Sequence, residues 1–217
     1  MRPTALILGA ACAALMGATS TGSAQLAIGA RAGTTGTGGE VSFGIIPRIA
    51  LRGTGTVIPF KPSGTFDDVE FEVDPPSPLF TIGADLYVTN SIRLFGGLLI
   101  GADKLGIDGH YSGSVQFGNQ TYTGEGDIIG AVETSSTAPF VGLGFGRTIG
   151  SGIGVNFDLG AAILGESTVR LIEITGPAAQ STQAQRDEKI AEIQDDVDKW
   201  AKYYPMISIG IRFGLGN

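Results

Sequence analysis

Three groups of residues in this sequence have types and spacing suited to chemistry. His110 is the only histidine, and Ser112 and Ser114 follow it at alternate positions. A serine hydroxyl beside an imidazole is the nucleophile–base pair of lipid-hydrolysing and other acyl-transfer enzymes. Closeness along a glycine-rich segment does not bring hydroxyl oxygen onto ring nitrogen, so the expectation is no catalytic residue and no enzyme. Asp68, Glu70, Glu72 and Asp74 also alternate. Such carboxylates attract Ca²⁺ or Mg²⁺, the latter as a bridge to lipopolysaccharide, but a row along a strand does not converge on one ion. A solvated acidic edge is expected there, with no metal and no cofactor. One histidine and one cysteine, Cys12, leave no transition-metal constellation.

The third group is Arg31, Glu40, Arg52, Asp85, Arg93, Asp158 and Arg212, each set among apolar neighbours. Arg212 shows the pattern best. Ile207, Ile209, Ile211, Phe213 and Leu215 take every second place of the closing segment, with Ser208, Gly210 and Arg212 between them. An arginine inside a strict period of two calls for a strand with one apolar face and one polar face.

Seven further segments repeat that alternation, at 26–33, 40–45, 48–56, 80–88, 92–102, 139–146 and 152–164. Their apolar sets include Ile28 and Ala30, Val41 and Phe43, Ile82 and Leu86, Val141 and Leu143, and Val155 and Phe157. In every segment that carries charges, they fall on the opposite face; in 139–146 that face is Gly142, Gly144 and Gly146. The connections 46–48, 89–91 and 149–152 are short, whereas 56–78, 103–136 and 166–202 are long; 34–39 is a tight exception. Short turns at one end and long loops at the other are the arrangement of an outer-membrane β-barrel. A soluble β-sandwich also alternates, but it would offer water a polar face, and here that face is mostly glycine with isolated charges.

Parity sends all seven charges into the barrel, because an arginine facing lipid at mid-bilayer costs about 2–4 kcal/mol. A slip of one residue would expose them, so they also hold the register. An eight-stranded barrel is just wide enough for side chains to fill. Two readings follow. The charges pair and close the lumen, or they line a narrow conduit for small solutes, with the inner glycines leaving room for water.

The amino-terminal end supports export. Arg2 precedes an apolar run from Ala5 to about Ala18, followed by Gly22-Ser23-Ala24, the layout of a cleaved leader spanning 1–24. Residues 25–217 would be the barrel, without cysteine. Removing Arg2 takes the 14 basic residues to 13 against 21 acidic ones, a net charge of −8. That balance argues against nucleic acid. With 35 glycines and a positive mean hydropathy, the chain is too apolar for a disordered low-complexity protein.

Two loop elements stand out. Residues 108–126 read as a hairpin turning at Gly118-Asn119. Residues 178–202 read as a helix whose Ile190, Ile193, Val197 and Trp200 form a narrow apolar stripe amid acidic residues. Such a stripe packs against the barrel rim or binds an unnamed partner.

The segments "GARAGTTGTGGEVSFGIIPRIALRG", "APFVGLGFG" and "FDLGAAILG", with the acidic helix running into "KYYPMISIGIRF", resemble a family of small, porin-like outer-membrane barrels of Gram-negative envelopes. The family is similar in architecture to OmpA/OmpW-type eight-stranded barrels. The resemblance implies an all-β fold with one loop helix, a bacterial outer-membrane location, and lipid and lipopolysaccharide as surroundings. It implies no substrate. Ser208, Gly210, Phe213 and Leu215 also resemble the carboxy-terminal signal (polar-x-Gly-x-x-aromatic-x-apolar) read by the barrel-assembly machinery. Tyr203 and Tyr204 would mark the outer interface and Phe213 the inner one.

Overall fold

The computed structural model describes residues 25–66, 69–200 and 202–215. The expected leader, 1–24, lies outside the described residues. Eight strands close an antiparallel barrel: β1 (Leu26–Gly33), β2 (Gly36–Ile46), β3 (Ile49–Val57), β6 (Leu79–Tyr87), β7 (Ile92–Ile100), β10 (Thr137–Phe145), β11 (Gly152–Ile163) and β13 (Tyr203–Gly214). The seam joins β1 to β13 from Ala27 opposite Gly214 to Gly33 opposite Ser208. All eight segments read from the period-2 pattern are barrel strands.

The turns follow from local chemistry. The β1–β2 link is only Thr34 and Thr35, shorter than the expected 34–39, because Gly36 takes φ +94° and restarts the ladder at once. Between β6 and β7, the Thr89 hydroxyl accepts from the backbone N–H groups of Ser91 (3.2 Å) and Ile92 (3.0 Å), a side-chain-closed turn.

The long loops are not irregular. They build a second, five-stranded sheet in the order β12 (Thr168–Ile174), β9 (Gln120–Glu133), β8 (Lys104–Phe117), β5 (Val69–Asp74) and β4 (Ser63–Phe66). The expected hairpin is its centre, longer than 108–126 and turning at Gly118 with φ +55°. One face of this sheet is polar and exposed. The other packs Tyr111 and Phe117 against Ala178 of a 3-10 turn at Gly176–Gln180.

The helix, α1, runs over Gln183–Trp200 rather than 178–202. Pro177 starts the separate 3-10 turn, and α1 begins after Thr182 through a reciprocal cap. The Gln185 side chain accepts from the Thr182 N–H (2.8 Å) while the Thr182 hydroxyl accepts from the Gln185 N–H (3.4 Å). Gln194 docks α1 on β12, accepting from the Val169 N–H and donating to the Ser167 carbonyl, both at 2.8 Å. Ile190, Ile193 and Val197 are half-buried, and the side chain of Trp200 lies outside the described set.

Candidate functional site in the barrel lumen

Each inner strand position points to the axis, so residues far apart in sequence meet at one height. Asp158 on β11 receives Arg31 from β1 (2.6 Å), Arg52 from β3 (2.6 Å) and Arg93 from β7. Arg31 also reaches Glu40 (3.0 Å) and donates to the Ser208 hydroxyl (2.6 Å). Arg52 reaches Asp85 (3.2 Å), and its guanidinium lies 5.1 Å from the centre of the Phe95 ring. Three arginines thus face three carboxylates, an electrically balanced set. All six side chains are largely covered, Arg31 as a residue only half-buried and Asp85 and Arg93 completely buried. Burying a charge is costly unless it is paired and hydrogen-bonded, and these partners offset that cost.

Arg212 does not join them, a correction to the expectation that it faces the lumen's carboxylates. It donates to the backbone carbonyls of Arg147 (2.7 Å) and Gly150 (2.8 Å). The reason is height. Ser208, opposite Asp158, is level with the cluster, whereas Arg212 lies four residues further along β13, opposite Gly154. A rise of about 3.3 Å per residue puts it roughly 13 Å further along the tilted strand, about 10 Å lower on the axis, beside the β10–β11 turn. Arg48, which shares strand parity with Arg52, is exposed in the β2–β3 turn.

Two buried clusters lie above and below the charges. On the loop side, Leu79, Phe95, Leu99, Ala138, Phe140 and Ala162 form one buried apolar cluster. Phe95 and Phe140 meet with ring centres 6.0 Å apart. At the other end Ala50, Tyr87 and Ile149 pack together. Tyr87 and Thr148 share a hydrogen bond (2.8 Å), and Thr148 donates to Asp85 (2.6 Å). The cavity between Arg31, Arg52, Thr54, Phe95 and Phe140 holds about 20 Å³, room for about one water.

The inner glycines make space for side chains. A Cβ at Gly144 would lie 2.5 Å from the Arg93 guanidinium carbon, and one at Gly154 would lie 2.7 Å from Arg212 Nε. Strand parity already set Phe95 with Arg93 and Leu99 on the inner face, but sequence reasoning passed over Phe140 and the meeting of the two rings. Phe140 shares parity with Gly142 and Gly144, which marks it as inward, and Phe95 follows Arg93 by two.

The remaining candidates lie elsewhere. His110 Nδ1 is 2.8 Å from Asp127 Oδ1, while Ser114 shares a hydrogen bond with Thr123 (2.9 Å). The structure therefore brings His110 to a carboxylate that sequence reasoning did not single out. That hydrogen bond raises the His110 pKa above its ordinary value. Glu70, Glu72 and Asp74 do share one exposed face, but of β5 in the second sheet rather than of a barrel-strand extension. Lys61 lies 3.2 Å from Glu72 and 3.6 Å from Asp74. Asp68 lies outside the described residues. Among those described, no three His, Cys, Asp or Glu side chains are grouped to hold a metal ion.

At the carboxy-terminal end, Ser208 and Gly210 point inward, whereas Phe213 and Leu215 are exposed on the outer wall. The Leu215 N–H donates to the Leu26 carbonyl (2.7 Å), continuing the seam past β13. Tyr203 is exposed on the outer wall, whereas Tyr204 has the opposite parity. It packs at the rim of the inner cluster and donates to the Thr34 carbonyl (2.5 Å).

No protein-family model matches this chain, and no curated sequence matches it at a significant level. Solved structures do. The crystal structure of Acinetobacter baumannii CarO2 superposes with a TM-score of 0.63 at 20% identity, over 88% of this chain and 98% of that one. That of Acinetobacter baumannii CarO gives 0.59 at 21% identity, over 86% and 96%. The shared property is the fold: a closed, eight-stranded antiparallel β-barrel.

Proposed function

We propose that this chain is an outer-membrane β-barrel whose lumen is closed, acting as a structural or surface-interaction protein through the sheet and helix above its mouth. One observation carries the location. Ile82 and Ile153, on strands whose other face holds buried charge, are 64% and 73% exposed, and Val141 on β10 is 61% exposed. In water, an apolar belt around the whole barrel would far exceed the few hundred Å² usual for a soluble monomer. In hydrocarbon it is the natural outer face of a barrel. The fold shared with CarO2 and CarO supports the same reading. Export through a leader at 1–24, insertion by the barrel-assembly machinery, contact with lipid and lipopolysaccharide, and OmpA/OmpW-type architecture belong to this proposal.

The closed lumen draws on the balanced charge set, the Phe95–Phe140 contact and the very small residual cavity. A narrow pore for small solutes is the second reading. It draws on Asn156, which is buried while neither amide atom has a hydrogen-bond partner among the described residues. Single-channel recording in planar bilayers separates the two. The closed reading expects no unitary conductance from wild type, and none after Arg52→Gln or Asp85→Asn. Discrete openings in wild type that change with either variant overturn it. The proposal assigns no catalysis, and an altered lipid A profile in a His110→Ala strain would contradict that.

A further inference from the structure

Above the barrel mouth lies a cavity of about 560 Å³, within the range of pockets that hold small organic ligands. Its roof is α1, through Ile193 and Val197. One wall is the second sheet, through Leu105, Ile107 and Val132. The floor is the top of the plug, where Leu79 and Leu99 are fully buried. Among the described residues, no charged side chain lines it. Two of its polar groups are already engaged: Thr134 donates to the Ala102 carbonyl (2.5 Å) and Tyr204 to the Thr34 carbonyl (2.5 Å). A water inside needs two to four polar partners and finds few there. The space suits an apolar occupant.

The opening shows where that occupant comes from. Tyr203 lines the cavity and is also 58% exposed on the outer wall, in the same outward column as Ile207, Ile209 and Ile211. It pairs with Ile163, another exposed apolar residue. The cavity therefore opens at the top of the apolar belt, where the outer interface falls if the barrel sits in a bilayer as proposed above. From these features we infer that the cavity takes up an acyl chain of an outer-leaflet lipid, entering past Tyr203. A free fatty acid fits less well, because its carboxylate would meet no cation among the described residues of these walls and burying it unpaired is costly. A lipid chain enters alone while its head group stays outside.

The test uses the full mature chain, deuterated except at Ile, Leu and Val methyls, in phospholipid nanodiscs with protonated acyl chains. Magnetisation transfer between protein methyls and chain CH₂ protons is expected at Ile209, on the belt, and at Ile193 and Val197, in the cavity. Transfer at Ile209 without transfer at Ile193 or Val197 overturns the cavity proposal and leaves the membrane reading intact. No transfer at Ile209 overturns the membrane reading and this inference with it. Leu105→Trp, which fills the cavity from the sheet side, is expected to abolish the Ile193 and Val197 signals while keeping that of Ile209; their persistence overturns the site. In discs with deuterated chains and added protonated palmitic acid, equal signals at Ile193 would reassign the occupant to a free fatty acid and overturn the lipid assignment.

Discussion

Replacing Asp158 with Asn tests the charge cluster directly. Asp158 is 3% exposed and accepts from Arg31 and Arg52 at 2.6 Å each, and from Arg93. Asn is nearly the same size, so packing is kept and only charge is lost. Three buried guanidiniums would then face two carboxylates, Glu40 and Asp85. Removing one partner of a buried ionic set and stranding the other costs about 3–5 kcal/mol. Most of that should appear as lost stability, since the surrounding strands are hydrogen-bonded on both sides and cannot open to admit water. The assay is reversible urea unfolding in lipid vesicles, followed by far-UV circular dichroism and by the gel mobility of unheated samples. Asp158→Asn with Arg31→Gln restores two charges of each sign and should recover part of the loss, a non-additivity expected of neighbours in one network. An Asp158→Asn effect within about 0.5 kcal/mol, the range of an ordinary surface substitution, would refute the reasoning. So would a double variant as destabilised as the sum of its singles.

Other outcomes are equally specific. His110 gains its raised pKa mainly from the hydrogen bond to Asp127, so Asp127→Asn should bring its NMR titration midpoint down toward the ordinary value. Because the folded pKa is the higher one, the pair's contribution is fully present below the unfolded histidine pKa of about 6.5 and is lost as pH rises through the folded value; an unchanged midpoint in the variant would contradict this. Gly142→Ala should lower stability by about 1–3 kcal/mol, measured in the same urea assay. Its Cβ would fall 2.5 Å from the Leu159 carbonyl oxygen and 2.7 Å from Gly160 Cα, both backbone atoms that cannot step aside. Deleting 214–217 removes the seam bond from Leu215 to Leu26 together with the end of the proposed assembly signal. It should sharply reduce the fraction of chain recovered as heat-modifiable barrel in outer-membrane fractions, and wild-type recovery would count against that role.

The sequence alone was sufficient for the barrel wall, and the reason is local. A strand sends alternate side chains to opposite faces, so the Ile207–Ile209–Ile211 column and the inward Arg31, Glu40, Arg52, Asp85, Arg93, Asp158 and Arg212 are readable one strand at a time. The hairpin turn at Gly118 and the apolar stripe of α1 are local in the same sense. What parity does not contain is height along the axis, which closure and strand stagger set together. Only the closed barrel shows that Asp158 gathers three arginines while Arg212 binds backbone carbonyls near the opposite end. Long-range pairing was hidden too. β5 joins β8 and β12 joins β9 across barrel strands that lie between them in sequence, so nothing near residues 69–74 or 168–174 announces the second sheet. The plug and the apolar cavity are products of that assembly, formed where side chains from several strands and α1 converge.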